Sequence, residues 1–270
     1  MDDIDLFLKE DLNEKGDITS EALLADEEGV ASIKAKENCV LAGTEEAASV
    51  FERLQCAVQP IKEDGDAVKA GEPVLEVRGK LKNILAGERL ALNFMGRMSG
   101  IATLTRDLVE LCRKKNPRVE IAATRKTTPG FRKYEKRAVE IGGGYAHRMG
   151  LYDGVLIKDN HLAAVSLREA IRKARKLGME IEVEVETIDD AIIAAEEGAD
   201  IIMLDNMHPA KGKLAASKIQ KINPEIKIEV SGGITPETIT NYTFADRISL
   251  GWLTHSVKNM DFSLDIERIL

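Results

Sequence analysis

The chain is poor in the residues that staple or stack. Its three cysteines, Cys39, Cys56 and Cys112, lie far apart with no C-x-x-C pair. That excludes a disulfide framework and predicts reduced thiols. One tryptophan and an aromatic content of 4% leave too few rings for a surface that stacks single-stranded nucleic acid. The four histidines show no zinc-ligand spacing. No apolar run approaches the ~18 residues of a membrane span. The first residues, Met1-Asp2-Asp3-Ile4-Asp5, are acidic where a secretory signal is basic. Positive charge is in deficit, with 38 Lys and Arg against 46 Asp and Glu, which disfavours a nucleic-acid partner. Gly and Pro are too scarce for a collagen-like or low-complexity chain. The expectation is a cytoplasmic globular protein, long enough to bury its own core, built as one large domain or a barrel-sized domain plus a small one.

What is present divides by texture. Residues 2–12 and 44–54 read as short helices and Val30–Lys36 as a strand. From Ile61 to Gly79, Gly65, Gly71 and Pro73 punctuate short alternating segments, predicting strand, turn and strand. This stretch is similar to the small β-sandwich of lipoyl and biotinyl carriers. It has Val77-Arg78-Gly79 where a carrier needs a modifiable Lys, so the shape is expected and the carrier function is not. Residues 84–115 read as helices. From about residue 118 strands alternate with helices. The strands are Val119–Thr124, Gly154–Ile157, Ile181–Val185, Ile201–Leu204, Ile226–Val230 and Ala245–Leu250. The helices are Ser166–Leu177, Ile188–Glu197, Lys213–Lys221 and Pro236–Tyr242. That rhythm predicts a parallel sheet. The expected organisation is an N-terminal α+β sandwich over 1–105 and a β/α barrel over 106–270, with the last residues free to pack back on the first domain.

The strand ends carry the chemistry. Arg125-Lys126 follow the first strand and Lys158 the second. Glu184 sits on the third, with Glu182 and Glu186 on the same face. Asp205-Asn206 end the fourth, Ser231-Gly232-Gly233 the fifth and Gly251-Trp252 the sixth. In a parallel barrel all of these meet at one mouth, whereas an open doubly wound sheet gathers ligands only at a switch point. A barrel is preferred, irregular or incomplete because only six strands are legible. Arg125 to Arg148 holds seven Lys or Arg against two Glu, suited to carboxylate or phosphate. Ser231-Gly232-Gly233, before a helix expected near Pro236, offers backbone amides to a phosphate, and Gly251 a second such site. Glu184 and Asp205 opposite suggest Mg²⁺. The residues point to a metal-assisted enzyme acting on a small phosphorylated anion and leave the reaction open.

Longer strings narrow it. Ala123-Thr124-Arg125-Lys126-Thr127-Thr128-Pro129-Gly130 resembles the signature of the quinolinate phosphoribosyltransferases. So do Gly142–Leu151, Leu156–His161, Val183–Val185, Met203–Asn206, Ser231–Ile234 and Gly251–His255, and upstream Gly16–Thr19 and Gly87–Arg89. The resemblance covers essentially the whole chain in order. It implies that quinolinate and phosphoribosyl pyrophosphate give nicotinate mononucleotide, pyrophosphate and CO₂ with Mg²⁺, in de novo NAD biosynthesis. It implies that Arg125, His147 and Arg148 hold the quinolinate carboxylates, and that Lys158 stands where the two substrates join. Lys126 and Lys158 would meet pyrophosphate and ribose. Glu184 and Asp205 would hold ribose hydroxyls and the metal, directly or through water, and Lys126, Lys158, Glu184 and Asp205 form the implied catalytic set. Ser231, Gly232, Gly233 and Gly251, with Trp252 at the mouth, would seat the 5′-phosphate. The family forms dimers with shared sites, so Arg89 is expected to complete a second subunit's site, with higher oligomers open.

Two positions depart from the family pattern, Tyr145-Ala146 before the His and Trp252 where a smaller residue is usual. A same-fold relative associated with molybdate transport, with another acceptor, is the alternative. A Schiff-base role for Lys158 in a barrel aldolase and a carrier module at 57–79 are the distant ones. By residue type alone, Arg132, Lys133, Lys136 and Arg137 read as a solvated face, His161 and His255 equally well as structural hydrogen-bonders, His208 as loop, Trp252 as core and Cys112 as a buried, inert thiol.

Overall fold

The computed structural model describes residues 3–270. The sequence expectation of a helix over 2–12 therefore has its first residue outside the described part, and Asp3–Leu12 is helical. The strands, in chain order, are β1 (Glu28–Ala35), β2 (Cys39–Val40), β3 (Ala57–Pro60), β4 (Ala67–Val68), β5 (Pro73–Lys80), β6 (Glu120–Ala122), β7 (Val155–Ile157), β8 (Ile181–Val185), β9 (Ile201–Asp205), β10 (Lys227–Ser231), β11 (Arg247–Ser249) and β12 (Phe262–Ile269). The chain forms two compact units. One comprises residues up to Leu104, Glu140–Gly142 and Ser256–Leu270, and the other Thr105–Val139 and Gly143–His255.

In the first unit an antiparallel sheet runs β12-β1-β5-β3, beside a two-stranded pair of β2 and β4. β1 is central, pairing with β12 on one side and β5 on the other. β12 went unseen in the sequence because its alternation, Phe-Ser-Leu-Asp-Ile-Glu-Arg-Ile, is charged and breaks off after Ile266. It is an edge strand, where charge guards against further pairing. The helix Thr44–Arg53 is anchored at its start, where the Thr44 amide and hydroxyl both donate to Asp64 at 3.0 and 2.7 Å. Ile33, Leu41, Phe51, Leu75, Ile84 and Met95 are fully buried, each side chain contributing about 1.5–3 kcal/mol by leaving water. The amide of Met260 donates to Gly96 of the long helix Leu81–Arg113 at 2.9 Å. A Cβ on Gly100 would press into Lys258's carbonyl group, so glycine there admits the returning chain.

The second unit is a six-stranded parallel sheet ordered β6-β11-β10-β9-β8-β7. The strands follow chain order from β7 to β11, and β6, the first, lies beside β11, the last. This is the neighbour order of a barrel. It stays open between β6 and β7, where Tyr145 instead bridges Ala122 in parallel fashion. Val183, Ile202, Leu204, Ile228, Val230 and Ile248 are buried and alternate with the polar residues that face inward. Helices Ile188–Glu196 and Pro209–Ile222 turn small residues to the core, Ala191, Ala194 and Ala195 from one and Ala215 and Ala216 from the other. Their starts are capped by Thr187, which accepts the Asp190 amide, and by His208, so His208 is a cap and not merely loop. One expectation fails. Pro236–Tyr242 is not a helix, and only Ile239–Asn241 makes a 3₁₀ turn. Thr238 accepts the Thr235 amide through its hydroxyl, the kind of side-chain competition that diverts a backbone from helix. No helix of the described residues is long and apolar enough to cross a membrane.

Candidate active site

Parallel strands end together, and their ends enclose a cavity of about 410 Å³. It is lined by Arg125, Lys126, His147, Arg148, Lys158, Glu184, Asp205 and Ser231, with Thr124, Leu156, Met203 and Ser249. Eight residues singled out from the sequence therefore share one space. Gly232, Gly233, Gly251 and Trp252 are not among its lining residues, but two of these glycines abut it. A Cβ on Gly251 would come 2.7 Å from Lys126, and one on Gly232 2.8 Å from the backbone nitrogen of Asn206, the residue after Asp205. Gly232 and Gly233 both have positive φ, +83° and +63°, so the strand β10 leaves its amides in a concave loop suited to an anion. The helix expected to follow is absent, and this loop alone carries whatever anion affinity the segment has. Trp252 donates its indole N–H to Ile234 at 2.8 Å and ties that loop down from behind. Arg89 belongs to the other unit, exposed on the helix Leu81–Arg113 and without a partner among the described residues.

The loops that carry the cations are tightly held. Thr254 donates to the Lys126 carbonyl at 2.7 Å, and Glu135, fully buried, accepts from the Thr128 amide and hydroxyl. Arg132 donates to Thr127 and to the Met149 carbonyl at 2.9 and 3.0 Å. Lys136, expected at the surface, is 1% exposed and donates to the carbonyls of Ala146 and His147. The basic run after β6 is thus in part an internal brace. Arg148 donates to the Gly154 carbonyl at 3.0 Å. Burial and the charge of Arg125 hold its guanidinium below the usual range, which marks a site short of negative charge. Lys158 pairs with Glu184, and its amide donates to His161 Nδ1 at 2.9 Å, so His161 is a structural hydrogen-bonder. Burial, and then the charge of Glu184, push the Asp205 carboxyl up. Two carboxylates on adjacent strands that repel each other in this way are a donor set that a hard divalent cation relieves.

Beneath this rim lies a charged layer of which the sequence singles out Glu182, on the face of Glu184, but not Glu229 or Arg247. Glu182, Glu229 and Arg247 are 5%, 0% and 5% exposed, where barrel interiors are usually aliphatic. Arg247 donates to Glu120 at 2.9 Å and Glu229 at 3.2 Å, and its guanidinium lies 4.0 Å from the centre of the Tyr145 ring. Ser249 donates to Glu229. His147 Nε2 lies 3.3 Å from Glu182 and 3.4 Å from Glu229. The amide of Arg148 faces its Nδ1 at 2.8 Å. Burial pulls the imidazole pKa down, but the hydrogen bonds its N–H donates to Glu182 and Glu229 outweigh that and raise it to about 9. Burial pushes Glu182 up, whereas its partners keep Glu229 ionised despite complete burial. Burial likewise raises all three free cysteines, Cys112 among them as expected.

Residues 17–99 match the sequence model of the quinolinate phosphoribosyl transferase N-terminal domain, and residues 101–265 that of the C-terminal domain. The chain belongs to the quinolinate phosphoribosyltransferase family. It is 46% identical over 256 residues to a probable nicotinate-nucleotide pyrophosphorylase [carboxylating] of Archaeoglobus fulgidus, covering 93% of this chain and 98% of that protein. It is 38% identical over 242 residues to the human nicotinate-nucleotide pyrophosphorylase [carboxylating], covering 87% of this chain and 82% of that one. A crystal structure of NadC from Streptococcus pyogenes, 38% identical, superposes with a TM-score of 0.91 over 99% of this chain and 95% of its own.

Proposed function

We propose that this family member transfers the phosphoribosyl group of phosphoribosyl pyrophosphate to quinolinate and decarboxylates the product to nicotinate mononucleotide, a step of NAD biosynthesis. The observation that carries the reading is the single cavity in which Arg125, Lys126, Arg148 and Lys158 face Glu184 and Asp205. A pyridine dicarboxylate needs cations at one end, and a sugar diphosphate needs both cations and carboxylates that grip hydroxyls. The relatives' names supply the substrate pair.

In this mechanism the bond from C1′ to the pyrophosphate oxygen breaks as the pyridine nitrogen bonds C1′. Charge builds on the leaving group and on the sugar, so positioned charges contribute more than a nucleophile. Lys126 and Lys158 neutralise the departing pyrophosphate. Arg125 and Arg148 hold the two carboxylates, and His147 walls that end of the cavity. The carboxylate at C2 then leaves as CO₂, and the electron pair it leaves takes a proton. Glu184 and Asp205 are the residues that would hold Mg²⁺, directly or through water, and the ion would add positive charge at the diphosphate. Ser231, Gly232, Gly233 and Gly251 seat the 5′-phosphate, with Trp252 bracing their loop. Exposed Arg89, without a partner among the described residues, supports a homodimer in which it completes the other subunit's site. The three unpaired thiols support a cytoplasmic location.

The test is formation of nicotinate mononucleotide from quinolinate and phosphoribosyl pyrophosphate with Mg²⁺. Turnover of that pair is expected. Turnover only with another aromatic acceptor would overturn the reading in favour of the molybdate-associated relative.

A further inference from the structure

We infer that Glu229 and Glu182 are positioning residues for the quinolinate half of the reaction, acting through His147 on Arg148. The inference rests on the reading above and adds residues that no part of it assigns.

His147 has a φ of +56°, a left-handed conformation that costs a side-chain-bearing residue about 1–2 kcal/mol. Such a conformation persists only where surroundings over-determine it, and here three sets of contacts do. Lys136, buried, donates to the carbonyls of Ala146 and His147. Tyr145 is locked to β6 by backbone bonds of 2.8 Å to Ile121 and 2.9 Å from Ala123, and its ring is covered by Arg247. The imidazole Nε2 reaches down between Glu182 and Glu229. Arg247 and Ser249 hold Glu229 in turn, so it cannot swing.

The consequence reaches the cavity through one peptide. Nδ1 lies 2.8 Å from the amide of Arg148, the next residue in the chain, so the ring packs against the start of the Arg148 backbone and its orientation sets where that backbone begins, whether or not Nδ1 carries a proton. The guanidinium beyond it is tethered at Gly154. Both ring nitrogens are engaged within the protein, so His147 acts as a pivot between the buried carboxylates and the clamp. A metal ion is the other occupant that His147, Glu182 and Glu229 could share. Their 3.3 and 3.4 Å separations fit a shared imidazole N–H, and Arg247 and Ser249 already donate to the two oxygens of Glu229. The imidazole N–H fills the place a cation would take. Arg148 follows Tyr145, which bridges β6, and is tethered at Gly154 just before β7, at the open side of the sheet, while Asp205 and Ser231 end β9 and β10. A disturbed pivot therefore falls on the acceptor and spares the sugar phosphate.

The experiment is steady-state kinetics on the full chain with saturating Mg²⁺, comparing wild type with Glu229→Gln and Glu182→Gln. Glu229→Gln is expected to raise the quinolinate KM by about tenfold to a hundredfold, the size of one charge-assisted hydrogen bond, with the phosphoribosyl pyrophosphate KM within about twofold. Glu182→Gln should follow in the same direction with a smaller rise, because one of its oxygens has no partner even in the wild type. An unchanged quinolinate KM, or an equal rise in both, would overturn the inference. Wild-type protein with ¹⁵N-labelled histidine gives a readout that needs neither turnover nor a folded variant. Of its four histidines, His147 should show a ring N–H that exchanges slowly with solvent, and free exchange there would overturn the proposal. Failure of wild type to use quinolinate while that N–H stays protected would count against the function above and leave the pivot standing.

Discussion

The buried imidazole ties the stability of the second unit to pH. His147 Nε2 lies within 3.4 Å of two carboxylates. Burial opposes its charge, the carboxylates favour it, and the net effect is a pKa raised from 6.5 to about 9. The Arg148 amide at Nδ1 also works against the charged ring, since a protonated nitrogen cannot accept. Magnitudes decide: a hydrogen bond to a charged partner contributes about 1.5–3 kcal/mol and a neutral one about 1 kcal/mol, so two carboxylates prevail over one amide.

A folded-state pKa above the unfolded value means that the native state holds the proton more tightly. The associated stability is fully present below about pH 6.5 and is lost as the pH rises towards about 9. The gap corresponds to about 3 kcal/mol, and the amide contact sacrificed by the charged ring brings it nearer about 2 kcal/mol. Urea unfolding of wild type and His147→Asn near the two ends of that window measures it, asparagine being chosen because it tolerates the left-handed backbone. Titrating groups away from the imidazole are common to both proteins and cancel in the difference, whereas Glu182 and Glu229 lose the partner that lowers their pKa values and are followed in the variant as well. Wild type should lose about 2–3 kcal/mol more than the variant between the acidic and alkaline conditions. Parallel pH dependence of the two proteins would refute the reasoning.

Arg125→Ala should weaken quinolinate binding by roughly 2–5 kcal/mol, the order for truncating one partner of a buried charge pair, and wild-type affinity in a calorimetric titration would contradict its role in the clamp. Gly232→Ala forces a side chain into a φ of +83° against the backbone of Asn206. It should cost about 1–2 kcal/mol in thermal stability and raise the phosphoribosyl pyrophosphate KM more than the quinolinate KM. Asp205→Asn removes one of the two mutually repelling carboxylates, and the Mg²⁺ concentration for half-maximal activity should rise by at least about tenfold; an unchanged Mg²⁺ response would remove Asp205 from the metal set.

The rhythm of the second unit was legible because each βα unit repeats one physical pattern. An apolar strand ends at a charged or glycine residue, and a polar-capped helix follows. Lys158, Glu184, Asp205 and Ser231 could be found that way, since their positions at strand ends need no knowledge of distant contacts. β12 escaped because the partner that makes it a strand is β1, more than two hundred residues away. The Pro236–Tyr242 segment escaped because helix propensity was outweighed by threonine side chains bonding their own backbone. Lys136 read as surface because a lysine is rarely buried, and only the geometry of Ala146 and His147 supplies carbonyls to receive it. Glu229 gave a faint signal: it stands two residues before Ser231, between the β-branched Ile228 and Val230 of the strand Lys-Ile-Glu-Val-Ser. Inward positions alternate, so an acid there must face the barrel interior.

That alternation explains why the charged layer exists at all. Each strand that delivers a functional group to the mouth also delivers the residue two places earlier to the layer below, so Glu182 lies under Glu184, Glu229 under Ser231 and Arg247 under Ser249. Filling those positions with aliphatic side chains is the common solution in barrels, and replacing a buried ion network by such side chains is often stabilising. A network of Glu182, Glu229, Arg247 and His147 is therefore poorly explained as a device for stability. Its geometry answers a different need, because the sheet is open between β6 and β7, and an isolated bridge at Tyr145 rather than a strand ladder holds the segment that carries Arg148. Directional bonds from the layer below take over the task that a backbone ladder performs elsewhere in the sheet, and the open seam and the buried acids are two parts of one arrangement.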